Sequence, residues 1–193
     1  PQRESSEMTM AVLACGTMGT AILSGVLDFQ LSMENGHISK DVAATSHHGE
    51  RFERVPLPKK YIATVGRDST AKRLASTFSE AGHSNVEVFQ QRNVEAVRRS
   101  DIVLLCTKPQ RVSEFMSEPG MKEALENKIL VSIAAGTTIN TIQKVVPPST
   151  KVVRAMPNTP CRIREGMTVI SDVKWLTHLE RDLIATIFSA VGK

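Results

Sequence analysis

Short, continuous apolar runs exchange regularly with segments of helical spacing, and this exchange most narrows what the chain can fold into. Runs at 8–14 (MTMAVLA), 61–65, 86–89, 102–106, 129–133 and 152–156 carry few polar residues. An apolar run without alternation buries both of its faces, as strands of a parallel sheet do. After the first run, Met18, Ala21, Ile22, Gly25, Val26 and Phe29 recur at helical spacing within 17–31. Segments 70–81, 94–99, 111–126 and 139–146 read as further helices. Strands exchanging with helices predict an α/β protein whose doubly wound, mainly parallel sheet is covered on both faces. Val169 and Ile170 add a further short strand, and a helix runs from Leu176 to the end.

The chain's 193 residues fit one domain or one domain with a fragment of a second. Residues 1–7 form a polar leader without a signal-peptide pattern, 8–171 the α/β domain, and 172–193 the terminal helix. Residues 32–60, rich in Asn, Gly, His, Ser, Pro and charge, read as an inserted surface loop. The net charge of +4 comes from 24 Lys and Arg against 20 Asp and Glu, with no long basic run. With aromatics at 4%, base-stacking platforms are poorly supplied, so nucleic acid is not an expected partner. No apolar run reaches the ~20 residues of a membrane helix, so no membrane association is expected. Cys15, Cys106 and Cys161 are odd in number and widely spaced, matching neither a disulfide framework nor a zinc cluster. A reducing, cytoplasmic location follows as the expectation. His37, His47, His48, His83 and His178 lack ligand spacing and read as surface or loop residues, so no metal is expected.

The first strand ends in Ala14-Cys15-Gly16-Thr17-Met18-Gly19, one residue away from G-x-G-x-x-G. In a Rossmann-like fold the second glycine lets the backbone reach a pyrophosphate, the third lets helix pack on strand, and the helix N-terminus attracts the anion. Alanine at 14 costs about 1 kcal/mol if φ there is positive, and little if it is negative. The second strand runs into Gly66-Arg67-Asp68-Ser69-Thr70, with no carboxylate at its last position. Arg67 and Ser69 suit a ribose 2′-phosphate, with Lys72 and Arg73 adding charge. Asp68 or Ser69 as a helix cap, with a solvated Lys72 and Arg73, is the plainer account. The balance favours NADPH, with NADH as the alternative.

Ligands of open α/β sheets lie beyond the carboxyl ends of the strands. Here those ends read Cys106-Thr107-Lys108-Pro109, Ser132-Ile133-Ala134-Ala135-Gly136 and Arg154-Ala155-Met156-Pro157-Asn158-Thr159-Pro160. Singly, each has a plain structural explanation: Pro109 starts a helix, the alanines permit close packing, and the prolines stiffen a loop. Together with the glycine turn and Arg164-Glu165-Gly166, they resemble the pyrroline-5-carboxylate reductase family, from the first strand to Gly166. The inserted loop resembles fungal members. The resemblance implies that Gly16, Thr17, Met18 and Gly19 line the pyrophosphate and that Asn93 approaches the adenosine end. It implies that Cys106, Lys108 and Pro109 follow the cofactor toward the nicotinamide, over a small-residue floor of Ala134 and Ala135. Asn158 offers an amide near the nicotinamide and substrate. Ala14 departs from the family's glycine and puts the turn's cofactor affinity in question.

The family's reaction is hydride transfer to the C5=N bond of 1-pyrroline-5-carboxylate, giving L-proline. A protonated imine is already electrophilic, so no strong general acid is called for. Lys108 is a candidate for electrostatic positioning or, equally, a cofactor-ribose contact, and Asn158 is the other candidate catalytic residue. Family members continue into a helical domain that forms the homo-oligomer and completes the proline-side pocket. None of its motif occurs before Lys193, so this chain is expected to bind cofactor and to turn over little alone. Two readings compete: an NADP-dependent reductase of the β-hydroxyacid or ketopantoate type, and a non-catalytic NADP-binding domain. The first is not expected to carry Met156-Pro-Asn-Thr-Pro160.

Overall fold

The computed structural model describes residues 8–36, 55, 57–171 and 173–192. The polar leader and most of the insertion, 37–54 and residue 56, lie outside the described residues. Strands β1 (Thr9–Leu13), β2 (Lys60–Val65), β3 (Val86–Gln90), β4 (Ile102–Leu105), β5 (Ile129–Ser132), β6 (Lys151–Pro157) and β7 (Thr168–Ile170) form one sheet. Their order is β3-β2-β1-β4-β5-β6-β7. Every pairing is parallel except β6 with β7. The expected Rossmann-like sheet is therefore present, closed at one edge by a short antiparallel strand.

Burial follows strand periodicity. Met10 and Val12 of β1 face one layer, which holds α1 (Thr17–Glu34), α2 (Asp68–Glu80) and α7 (His178–Ser189). Ala11 and Leu13 face the other, with α3 (Asn93–Arg98), α4 (Val112–Met116), α5 (Met121–Leu125) and α6 (Ile139–Gln143). A β-strand points successive side chains to opposite faces, so a strand covered on both must be apolar throughout. The edge strand β3 is apolar at only some positions. Its Phe89 is covered by the guanidinium groups of Arg92 and Arg99, 4.3 and 5.4 Å from the ring centre.

Three readings need correction. The helix expected over 111–126 is two short helices. Pro119 has no N–H to continue the α4 ladder, and Gly120 takes φ 85° before α5 starts. The first helix continues to Glu34, so 32–34 belong to it, and Leu57 at the far end of the insertion is buried in the core. His83 is not a surface residue. It is buried in the α2–β3 connection, with Nε2 3.2 Å from Asp28 Oδ1 on α1.

The terminal helix shares the same core, through Leu183, Ile184, Ile187 and Phe188. Thr177 opens it with a capping box: its hydroxyl accepts from Glu180 N at 3.3 Å, and Glu180 Oε2 accepts from Thr177 N at 2.8 Å. Lys151 Nζ on β6 donates to both Glu180 oxygens at 2.6 and 2.8 Å. Partial burial pushes the Glu180 pKa up, but the Lys151 and Thr177 hydrogen bonds outweigh it and leave the carboxyl below its usual range. Such a depressed group stabilises the fold above the unfolded carboxyl pKa, and that contribution is lost as pH falls through the folded one. Thr177→Ala is expected to cost about 1 kcal/mol in urea unfolding. Glu180→Gln should destabilise at pH 7 and much less at pH 3, where the wild-type carboxyl is itself protonated. An equal cost at both pH values would refute this account of α7.

Candidate functional site at the centre of the sheet

The chain reverses its direction of travel along the sheet between β1 and β4, and the crevice of an open α/β sheet lies there, outside the carboxyl ends. β1 leaves the sheet through Ala14, whose φ of 52° lies in the left-handed region. Of the two conformations open to residue 14, the chain takes the one that costs alanine about 1 kcal/mol. Ala14 N donates to Thr64 Oγ1 at 3.2 Å, Cys15 N to the Thr64 carbonyl at 2.7 Å, and Gly16 N to the Ala14 carbonyl at 2.6 Å.

Gly16 and Gly19 have different neighbours. A Cβ on Gly19 would meet Cys106 Sγ at 3.1 Å and Val12 Cγ1 at 3.2 Å, so this glycine lets α1 lie close against β1 and β4. A Cβ on Gly16 would meet only the Ala14 carbonyl oxygen, at 3.8 Å. Gly16 is exposed and its φ is an ordinary −85°, so neither packing nor backbone conformation demands glycine. It opens the 18-residue helix α1, whose first turn has no side-chain cap and no acidic residue. Free N–H groups and a positive dipole end thus face an open surface, which suits an anion.

At the end of β2, Arg67 is the residue preceding α2, with Asp68 in the first turn. The Asp68 carboxylate pairs with Lys72 at 2.8 Å on the exposed helix face. Ser69 and Arg67 are exposed, and no ion pair holds Arg67 among the described residues. Asn93, at the start of α3, has both ends of its amide engaged: Oδ1 accepts from Thr64 Oγ1 and Nδ2 donates to Glu118 Oε1, each at 2.6 Å. Among the described residues nothing takes the second amide hydrogen, which is left for a ligand.

Beyond β4, Cys106 is half-buried against Gly19, while Lys108 and Pro109 are exposed, Pro109 opening a 3-10 turn. Beyond β5, Ala134 is buried and Ala135 exposed. Beyond β6, Asn158 is exposed. Its Oδ1 accepts from Met167 N at 2.8 Å inside its own loop, which leaves its NH2 group as the end available to a ligand. Since β1, β2, β4, β5 and β6 are mutually parallel, the loops after them lie at one edge of the sheet. Contacts join Cys106 to the glycine turn directly and Asn93 to it through Thr64. No hydrogen bond ties Lys108 or Asn158 to the turn among the described residues.

Sequence reasoning passed over Thr64 and Glu118. Thr64 was visible as the polar residue inside the run 61–65; Glu118 carries no local signal. It also left the thiols' state undetermined. Burial raises the Cys15 pKa to about 11, partly offset by the Thr20 hydroxyl 3.7 Å away. Burial, reinforced by neighbouring Cys15, raises that of Cys106 well above its ordinary value. Both are neutral thiols at pH 7 and poor nucleophiles. In the native protein at pH 8, Cys15 should react with iodoacetamide more than about a hundredfold slower than in the urea-unfolded chain. Equal rates would contradict the buried environment.

The chain matches, over residues 9–136, the sequence profile of the family described as NADP oxidoreductase, coenzyme F420-dependent. A pyrroline-5-carboxylate reductase of Lophium arboricola is 38% identical, the match covering 98% of this chain and 60% of that protein. One of Neurospora crassa is 37% identical, covering 99% and 61%. The chain thus spans about 60% of the length of these curated relatives. Among solved structures, the Plasmodium falciparum pyrroline carboxylate reductase with NADP bound shares the fold at a TM-score of 0.65 and 20% identity, covering 96% of this chain and 55% of that one. The chain belongs to the NADP oxidoreductase family of that profile and, within it, stands with the pyrroline-5-carboxylate reductases, fungal ones among its relatives.

Proposed function

We propose that this chain is the cofactor-binding part of a pyrroline-5-carboxylate reductase, which reduces the C=N bond of 1-pyrroline-5-carboxylate to L-proline with NADPH, NADH being the second donor. The observation that carries the reading is the open cradle at Gly16. The protein's own packing accounts for Gly19 and leaves Gly16 unaccounted for; close approach of a pyrophosphate to the backbone accounts for it. The choice of substrate is supported by the fungal relatives' names. NADP is supported by the Plasmodium structure and by an exposed Arg67 that, among the described residues, no carboxylate pairs with.

In this reading Gly16, Thr17, Met18 and Gly19 hold the pyrophosphate, and Arg67 with Ser69 the 2′-phosphate. Asn93 turns its remaining amide hydrogen to the adenosine side. Cys106, Lys108, Pro109, Ala134 and Ala135 line the path to the nicotinamide. The cofactor, when bound, supplies the hydride; the residues of this chain bind, orient and exclude water. Lys108 contributes positive charge beside the site, and Asn158 donates from its amide. No step calls on a thiolate, in keeping with the neutral Cys15 and Cys106.

The aligned span is about 60% of each relative, so the reading assigns cofactor binding to this span and turnover to the whole protein, a homo-oligomer. All three cysteines are free, and no helix among the described residues is long and apolar enough to cross a membrane. The free cysteines support a reducing, cytoplasmic placement.

Gly16→Ala is expected to weaken NADPH binding about tenfold or more while changing unfolding free energy by less than about 1 kcal/mol. Gly19→Ala should instead lower stability by about 1–3 kcal/mol through overpacking. Fluorescence titration and urea unfolding read the two effects, and unchanged NADPH affinity in Gly16→Ala would overturn the cradle. For the substrate, the whole protein should oxidise NADPH with pyrroline-5-carboxylate and not with a panel of β-hydroxyacid-type carbonyls; the reverse pattern would sink that half.

A further inference from the structure

Residue 14 is alanine where the turn takes φ 52°, a conformation that an L side chain keeps only when its surroundings hold it. Thr64 braces it here at two points. Thr64 accepts Ala14 N on its hydroxyl at 3.2 Å and Cys15 N on its carbonyl at 2.7 Å. Thr64 is fully buried, so its hydroxyl cannot turn to water instead. Because that hydroxyl accepts from a backbone N–H, its own proton points elsewhere, to Asn93 Oδ1 at 2.6 Å.

The direction of the whole chain of bonds is then fixed by chemistry. Glu118 Oε1, an acceptor, lies 2.6 Å from Asn93 Nδ2. Reversing the Asn93 amide would set its oxygen against the carboxylate, so the carboxylate dictates which end faces Thr64. Glu118 belongs to the link between α4 and α5, 25 residues from Asn93, and Asn93 lies 29 residues from Thr64.

We propose that Thr64 and Glu118 are positioning residues for the dinucleotide turn: acting through Asn93, they hold Ala14 in its left-handed conformation and so set the turn's affinity for NADPH. The proposal rests on reading this turn as the pyrophosphate site. The relay takes over a task that glycine would perform without support, and it makes cofactor affinity depend on a carboxylate outside the crevice.

The test titrates NADPH into the purified chain and its variants. Thr64→Val removes both hydroxyl bonds at nearly constant volume and is expected to weaken binding about tenfold; Thr64→Ser, which keeps the hydroxyl, should bind within about twofold of wild type. Glu118→Ala should weaken binding about three- to fivefold, and Glu118→Gln, whose oxygen still accepts from Asn93, should restore it. In an Ala14→Gly background the loss from Thr64→Val should fall below about threefold, the coupling that a double-mutant cycle isolates.

Wild-type affinity in Thr64→Val, or an equal loss in both backgrounds, would overturn the proposal. So would a lowered unfolding midpoint with an unchanged Kd, the mark of a purely structural role. Amide exchange of the nucleotide-free protein keeps the two claims apart. Ala14 N–H should exchange faster in Thr64→Val and not in Thr64→Ser. If wild type fails to bind NADPH, the cofactor reading of the turn falls, while unchanged Ala14 protection in Thr64→Val would by itself sink the relay.

Discussion

Everything at the site depends on β1 lying between β2 and β4 with all three strands parallel. Right-handed crossovers that leave β1 and β4 in opposite directions along the sheet must place their helices on opposite faces. The loops that feed those helices therefore part, and a crevice opens over the end of β1. The strand beneath it is rigid because all five of its residues are buried and both its edges are paired. The ladders run past the strand ends, Cys15 N bonding to the Thr64 carbonyl at 2.7 Å and Cys106 N to the Leu13 carbonyl at 3.0 Å. The floor of the crevice is thus sheet, and only its rim is loop.

Packing and chemistry are one fact at this floor. Gly19 allows α1 to approach until its missing Cβ would touch Cys106 Sγ at 3.1 Å. That approach withdraws Cys106 from water, and loss of solvation holds the thiol neutral. A larger residue at 19 would lift the helix and rehydrate the sulfur. One glycine therefore sets how closely helix and sheet meet and, through burial, moves the Cys106 thiol further from ionisation beside the helix N-terminus. That shift matters for an anion site, since a thiolate there would repel the ligand that the free N–H groups attract.

How much of this was legible in the chain varies with the range of the forces involved. Strands such as 102–106 and 129–133 announce themselves because burial on both faces requires an unbroken apolar run, a local property. The glycine turn and the strand-end signatures were legible for the same reason, being short and contiguous. The break between α4 and α5 was written in Pro119-Gly120, yet the apolar spacing of Val112, Phe115, Met116, Met121 and Leu125 spoke for one helix and concealed it. His83 read as a loop residue because nothing near it in sequence shows that Asp28, 55 residues earlier, would meet it. Thr64, Asn93 and Glu118 were illegible as a group. Each is an ordinary residue in its own segment, and only the sheet order brings the three segments together.

The NADPH preference proposed for the site rests on charge at the tip of β2. An acid at the strand's last position would repel a 2′-phosphate; here that position is Val65, and the first acid after it in the chain, Asp68, is turned along α2 to Lys72. Their exposed ion pair is worth under about 1 kcal/mol and fixes no geometry firmly. What it does fix is the local balance, since Asp68 and Lys72 cancel and Arg67 remains as positive charge at the tip. At physiological ionic strength such an exposed charge is screened beyond about 8 Å, so it discriminates only at contact distance. Discrimination between the two dinucleotides therefore belongs to the planar hydrogen-bonding fork of Arg67, and a lysine there would keep the charge while losing most of the selectivity.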